Sequence, residues 1–514
     1  MLDVGMSYLG ELVQRCMVQV QLTRFRKRIK LCRLHDLIRD LCLLKAKEEN
    51  FLEIVRIKAF GHQLAWADSA LPSSSSPLTT IRRLAVYYLG DHDANSIKSE
   101  NVILLSGHEM KNYSHIRSCQ FYSFGNELES SRWQQLKLFF KDLTLLTILD
   151  LEGISAHREF TPYVEDIKCP KAIGNLISLR FLSIRDSGIQ SLPSSIGNLG
   201  FLQTLDLRKR RWGKLLRIPN VLWRLKQLRH LYLPDYRIQL PCISELRLDG
   251  LSKLETLKNF NAKDYDVRCL SKLTNLRKFS CDVAPEDLAV MLKSPILNNS
   301  NCLLQYSSFE INGDFRTGEE QSRLRQLLGC HHLRQLRLWG SLNLNKFPDQ
   351  FPPNLTLLTL RETNLEEDPM PTLEKLPNLR ALDLNYNSYL GKKMVCSSAP
   401  TTTTAPSSSS GGGGGGGRGY GGCDGGGFPK LKSLQLWYLG NLEEWRVEQG
   451  AMPCLLRLVI RGSEKLKKIP YGLRFITTLQ ELEIKWVSEA LRDRVREGGV
   501  DFYKVQHVPS ISID

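Results

Sequence analysis

Apolar residues recur along most of the chain in one order, L-x-x-L-x-L. Copies of it, some with other apolar residues at the leucine positions, start at Leu146, Leu179, Leu202, Leu228, Leu333, Leu355, Leu379, Leu431, Leu455 and Leu479. From Leu179 to Leu228, from Leu333 to Leu379 and from Leu431 to Leu479 the starts lie 22 to 26 residues apart. Weaker copies begin at Leu254 and Leu276, and "IRRLAV" (81–86) and "IRSCQF" (116–121) read as degenerate opening turns. Side chains alternate along a strand, so the last two leucines of each copy point into one interior. The first leucine, and segments such as "SLPSSIGNL" (191–199), close that interior from a returning arm. One such coil cannot bury its apolar face alone, whereas stacked coils share a continuous core.

The period and the consensus predict an α/β leucine-rich-repeat solenoid with parallel strands on its concave face. Repeats are expected over 81–396 and 428–487. The longer step from Leu379 to Leu431 holds a Ser/Thr/Gly-rich stretch (397–427) with 13 glycines between 411 and 427. Such a stretch cannot bury enough surface to offset its ordering entropy, so it is expected to be a disordered insertion. Its glycines satisfy G-x-G-x-x-G trivially, and no strand-to-helix context makes that a dinucleotide site. Residues 488–514 read as a C-terminal tail and 61–80, with "SALPSSSSPL" (69–78), as a linker.

Before the repeats the period changes. Leu34, Leu37, Ile38, Leu41 and Leu44 are spaced as one face of a helix, with His35 and Asp36 in its first turn. "YLGELVQRC", "CRLHDLIRDLCLLKAKEENFLEIV", "SLPSSIGNLGFLQTLDLR", "LWRLKQLRHLYLP" and "GGVDFYKVQHVPSI" resemble plant intracellular nucleotide-binding leucine-rich-repeat immune receptors of the coiled-coil class. The resemblance implies that 1–60 is a partial, mostly helical winged-helix remnant. It also implies that the family's Met-His-Asp motif falls on Leu34, His35 and Asp36, where the histidine contacts the diphosphate of bound ADP. This chain departs from the family in having no G-x-x-x-x-G-K-[ST] phosphate loop. His35 is therefore read as a vestigial sensor and the chain as a C-terminal part of such a receptor. No cofactor is expected here, ADP or ATP belonging to full-length relatives, and no enzymatic activity.

The formal charge of +16 comes partly from "RFRKRIKLCR" (24–33), which holds six basic residues; elsewhere acids and bases interleave. That favours a solvated surface over a nucleic-acid groove. Scattered cysteines without C-x-x-C pairs fit a reduced compartment, and no apolar run of about 18 residues predicts a membrane span. A cytoplasmic protein follows, with the nucleus and the membrane periphery as alternatives. "GCHH" (329–332) is a poor metal cluster. The expected chemistry is protein binding on the concave face. Arg180, Arg185, Arg208, Lys209 and Arg229 are expected to form one basic patch on the early coils. Trp339, Trp437 and Tyr438 anchor the later ones. The resemblance implies a pathogen effector, a host guardee or the receptor's own nucleotide-binding module as partner. A ubiquitin-ligase substrate receptor, a stand-alone decoy and an extracellular ectodomain are the alternatives. The first lacks an adaptor-binding motif and the last lacks a signal peptide and flanking cysteine pairs.

Overall fold

The computed structural model describes residues 2–22, 29–49, 51–60, 63–66, 82–89, 103–104, 115–123, 140, 143–152, 168–209, 216–235, 246–262, 265–294, 297, 304–344, 347–398 and 427–514. The chain divides into two compact units, Met1–Ser280 with Ser294–Leu304, and Cys281–Lys293 with Gln305–Asp514.

The first unit opens with the helix Leu2–Gln14, an antiparallel hairpin of Val18–Leu22 and Ile29–Leu34, and the helix Asp36–Glu48. The hairpin makes this segment less helical than its sequence implied. The second helix carries the predicted apolar stripe, yet Leu37, Leu41 and Leu44 on that stripe are exposed. Parallel strands follow. Glu53–Phe60 pairs with Arg83–Leu89, that strand with Ser118–Ser123, and that one with Ile148–Asp150. The sheet continues through Phe181–Ser183, Thr204–Asp206, His230–Tyr232 and Thr256–Asn261. Glu53–Phe60, placed by sequence in the winged-helix segment, is thus a strand of the repeat sheet. Its β-branched Ile54, Val55 and Ile57 suit a strand better than a helix. Gln63–Trp66, inside the expected linker, is a short strand as well.

The repeat leucines do what their spacing predicts. Leu179, Leu182 and Ile184, then Leu202, Leu205 and Leu207, then Leu228, Leu231 and Leu233 are fully buried. Each such side chain stabilises the fold by roughly 1.5–3 kcal/mol relative to exposure. Neighbouring coils are also tied through backbone, as where Arg180 carbonyl accepts from the N–H groups of Gln203 (2.8 Å) and Thr204 (3.0 Å). The returning arms are short 3-10 turns such as Lys171–Asn175 and Ser194–Asn198, each entered through a proline that needs no N–H partner. Turns of adjacent coils touch closely: a Cβ on Gly174 would lie 2.5 Å from Ser195 carbonyl oxygen.

In the second unit Tyr306–Asn312, Leu333–Trp339, Leu357–Arg361 and Ala381–Asn385 run parallel, with one shift of register between Ser307 and Ser308. Ser433–Trp437, Arg457–Arg461, Glu481–Lys485 and Ser510–Ile513 continue the sheet. Tyr306–Asn312 escaped the leucine pattern because Phe309 and Ile311 fill its core positions. The helix Gly318–Leu328 begins at a capping box, Thr317 and Glu320 each accepting from the other's backbone N–H. Ala381–Asn385 pairs directly with Ser433–Trp437, so the sheet passes over the insertion, whose residues 399–426 lie outside the described ones. Ser397 N–H donates to Glu374 carboxylate (2.8 Å), and Ser398 N–H to that of Glu448 (2.9 Å).

The expected tail is instead a final coil. Its helix Glu489–Val495 buries Leu491 and Val495, and Ser510–Ile513 adds the last strand. Inside the coil, buried Asp501 pairs with Lys504 (2.7 Å) and Arg494 (2.9 Å), and Lys504 donates to Ile469 carbonyl oxygen (3.0 Å).

Candidate functional site

Leu34 ends the hairpin opposite Val18, and His35 and Asp36 follow at the exposed strand-to-helix junction. His35 carbonyl accepts from the Arg39 N–H (2.8 Å), and the Asp36 carboxylate meets Arg39 at 3.4 Å. Both partners of that ion pair are exposed, which makes it worth little. Of the basic run 24–33, residues 24–28 lie outside the described ones.

The five cations of the early coils do not gather into a like-charged patch. Arg180 is exposed beside its strand, and Arg229 reaches Glu255 at 3.5 Å. Arg185 lies 3.6 Å from Glu152 and 3.5 Å from Asp186. Arg208 grips Asp206 with both Nε and Nη2 and stacks over Tyr232 at 4.7 Å. The hydrogen bond to Asp206 holds the guanidinium above its usual pKa. Lys209 is buried, not surface-forming: its ammonium donates to the carbonyl oxygens of Ser187 and Ile189, and burial brings its pKa down to about 8. The acids were invisible as partners in the sequence because most sit on adjacent coils or two residues along one strand. This face is mixed in charge.

The later coils carry a different surface. The last residues of successive strands lie side by side: Trp339, Arg361, Asn385, Trp437, Arg461 and Lys485. Arg361 guanidinium sits over the rings of Trp339 (4.6 Å) and Tyr386 (4.4 Å), and Arg461 over Trp437 (4.7 Å) and Trp486 (5.6 Å). In every coil the next residue has a left-handed backbone. These residues are Gly340, Glu362 (φ 57°), Tyr386 (φ 49°), Tyr438 (φ 54°), Gly462 and Trp486 (φ 54°). That conformation is costly for bulky side chains and directs attention to function when it repeats. It aims three rings outward. Tyr386 stacks on Tyr438 with centroids 5.0 Å apart, and Tyr438 on Trp486 at 6.1 Å, although a coil lies between them. Gly462 occupies that coil, and a Cβ there would come within 2.3 Å of the Tyr438 ring. All three rings remain more than a third exposed.

Beside this row lies an open groove of about 600 Å³, lined among others by Asp314, Glu362, Asn364, Tyr386, Asn387 and Tyr438. Asp314 accepts from Ser341 N–H at 2.8 Å, and Glu362 meets Arg361 at 3.1 Å. Further up the strand face, Asp383 lies between Thr359 and Gln435. Thr359 hydroxyl donates to its carboxylate at 3.4 Å, while the other oxygen, Oδ1, is buried and unpartnered. Burial pushes this carboxyl up to about 6. Trp339, Trp437 and Tyr438, singled out from sequence, therefore sit in one row, with Arg361, Tyr386, Arg461 and Trp486 as members that sequence reasoning missed. The missed rings could have been found by aligning repeats, since each follows the last core residue of its copy by two positions.

Among the described residues no group of three or more His, Cys, Asp or Glu side chains is placed to hold a metal, and no helix is long and apolar enough to cross a membrane. Cys119, Cys169, Cys281 and Cys396 are buried thiols whose pKa burial raises.

Parallel coils sharing a leucine core, with an anchor-rich strand face, define a leucine-rich-repeat protein. The chain belongs to the leucine-rich repeat region family, which it matches over residues 115–500, and residues 1–42 match the disease resistance protein winged helix domain. Over 99% of its length it is 36% identical to probable disease resistance RPP8-like protein 2 of Arabidopsis thaliana. It is 37% identical to a putative disease resistance protein of the same plant and 33% identical to its disease resistance protein RPP8, again over 99%. The chain spans about half the length of these relatives, 47% to 49%. It is thus related to plant disease resistance proteins, as the motifs of its two ends implied.

Proposed function

We propose that this chain is the recognition part of a plant intracellular immune receptor, binding a pathogen effector or a guarded host protein through the strand face of its second unit. The observation that carries the reading is the row of Trp339, Arg361, Tyr386, Trp437, Tyr438, Arg461 and Trp486. Tryptophan, tyrosine and arginine are the residues that anchor protein interfaces, and here they converge from six strands on one face. Names of the relatives support a role in disease resistance. In such a receptor the first unit would face the nucleotide-binding module, and its interleaved charges suit a surface of mixed sign better than an acidic one. Nucleotide itself is held by the receptor's phosphate loop, and this chain is not expected to bind it alone.

A pairwise interaction screen of the chain against pathogen effectors and host proteins tests the reading. Partners should lose at least tenfold in affinity on Tyr438→Ala with Trp486→Ala, and little on Arg180→Ala, with melting temperatures preserved. Partners indifferent to the aromatic pair would refute this choice of face.

A further inference from the structure

We infer that the groove beside Tyr386 and Tyr438 receives a basic side chain, arginine or lysine, from the partner protein. The inference rests on the reading that this face binds a protein, and adds the chemistry of one contact.

Charge and shape argue for it together. Among its lining residues the groove counts two carboxylates, Asp314 and Glu362, two amides, Asn364 and Asn387, and two phenol rings, with no lysine or arginine. Hydrogen-bond acceptors on a lining that holds no cation of its own are complementary to a guanidinium or ammonium group. Asp314 spends Oδ1 on Ser341 N–H and Glu362 spends Oε1 on Arg361. Arg361, outside the lining, already lies over Tyr386 while pairing with Glu362, so these groove residues accept a guanidinium. With the ring faces taken up by Arg361 and by stacking, a ligand cation would meet the remaining carboxylate oxygens, the amide oxygens and the tyrosine hydroxyls on the groove side.

The groove is also built rather than incidental. Glu362, Asn364, Tyr386, Asn387 and Tyr438 all have φ between 49° and 57°, a region that non-glycine residues rarely occupy. Five such residues on neighbouring turns set the walls of one groove. Gly462 completes it by leaving room for the Tyr438 ring.

The test is a random dodecapeptide display selection on the full chain, followed by fluorescence-polarisation titration of the selected peptides. Peptides should share an arginine or lysine. Replacing that residue by citrulline or norleucine should weaken binding at least tenfold. Glu362→Gln with Asp314→Asn should weaken it similarly and flatten its salt dependence. Tyr438→Leu should do the same; Glu362→Gln alone, which keeps side-chain shape, guards against misfolding of the double variant. Peptides without a shared basic residue, no enriched peptide, or basic peptides blind to Glu362→Gln and Asp314→Asn would overturn the inference. If those blind peptides still lose affinity on Trp437→Ala, the face survives as a binding surface and only the groove chemistry falls. If no variant of the row affects any peptide, both readings fall.

Discussion

A carboxyl group shows how much one position can hide. Asp383 stands where the consensus allows any residue, and nothing in "LRALDL" marks it. Its environment comes from the neighbouring coils, which place Thr359 and Gln435 beside it and bury one oxygen without a partner. Burial raises its pKa from an ordinary value near 3.8 to about 6, partly offset by the Thr359 hydrogen bond and by the charges of Arg337 and Arg457. The folded protein therefore binds this proton more tightly than the unfolded chain. The stabilisation from protonated Asp383 is complete below about pH 3.8 and is lost as pH rises through about 6. Asp383→Asn, which cannot ionise, should stabilise the protein by on the order of 1–3 kcal/mol at pH 7 and by nearly nothing at pH 4. Urea denaturation of both proteins at the two pH values measures this, and an equal effect at each would contradict the assignment. Lys209 carries the opposite lesson. Its charge suggested a surface, but the sequence could not reveal that its ammonium turns inward to two carbonyl oxygens.

At the scale of an element, the coil was the legible object. Leucines at fixed spacing must share an interior, so nearly every strand from Ile148 to Lys485 could be placed from sequence alone. What escaped were strands that carry no leucine to mark them: Glu53–Phe60, Tyr306–Asn312 and the final Ser510–Ile513. The last of these belongs to a coil with a charge cluster, buried Asp501 and Lys504 with half-exposed Arg494. Asp501→Ala would leave the Lys504 ammonium buried without its counter-charge, a change that costs about 3–5 kcal/mol. Because each coil of a solenoid contacts mainly its neighbours, the damage should stay local. Hydrogen exchange should show lost protection across 488–514 and unchanged protection over 179–233. Uniform loss along the chain would mean that the terminal coil folds together with everything before it.

For the whole molecule, the family was readable because two kinds of signal agreed, the repeat period and the phrases at both ends. The binding surface was readable only in part. Trp339, Trp437 and Tyr438 stand out by type, but their union with Arg361, Tyr386, Arg461 and Trp486 depends on register and on a left-handed turn repeated coil after coil. The fate of nucleotide belongs at this scale too. A phosphate loop supplies a nest of backbone N–H groups, a lysine and a hydroxyl for magnesium, and this sequence holds no G-x-x-x-x-G-K-[ST] pattern. His35 stands exposed at the start of a helix, and one neutral or charged imidazole in water contributes far less than such a nest. Equilibrium dialysis with labelled ADP should therefore show no saturable site tighter than about 1 mM, the equivalent of about 4 kcal/mol of binding. His35→Ala should leave the dialysis result unchanged. Stoichiometric binding at micromolar ADP that is abolished by His35→Ala would instead make this motif a working sensor in the chain as it stands.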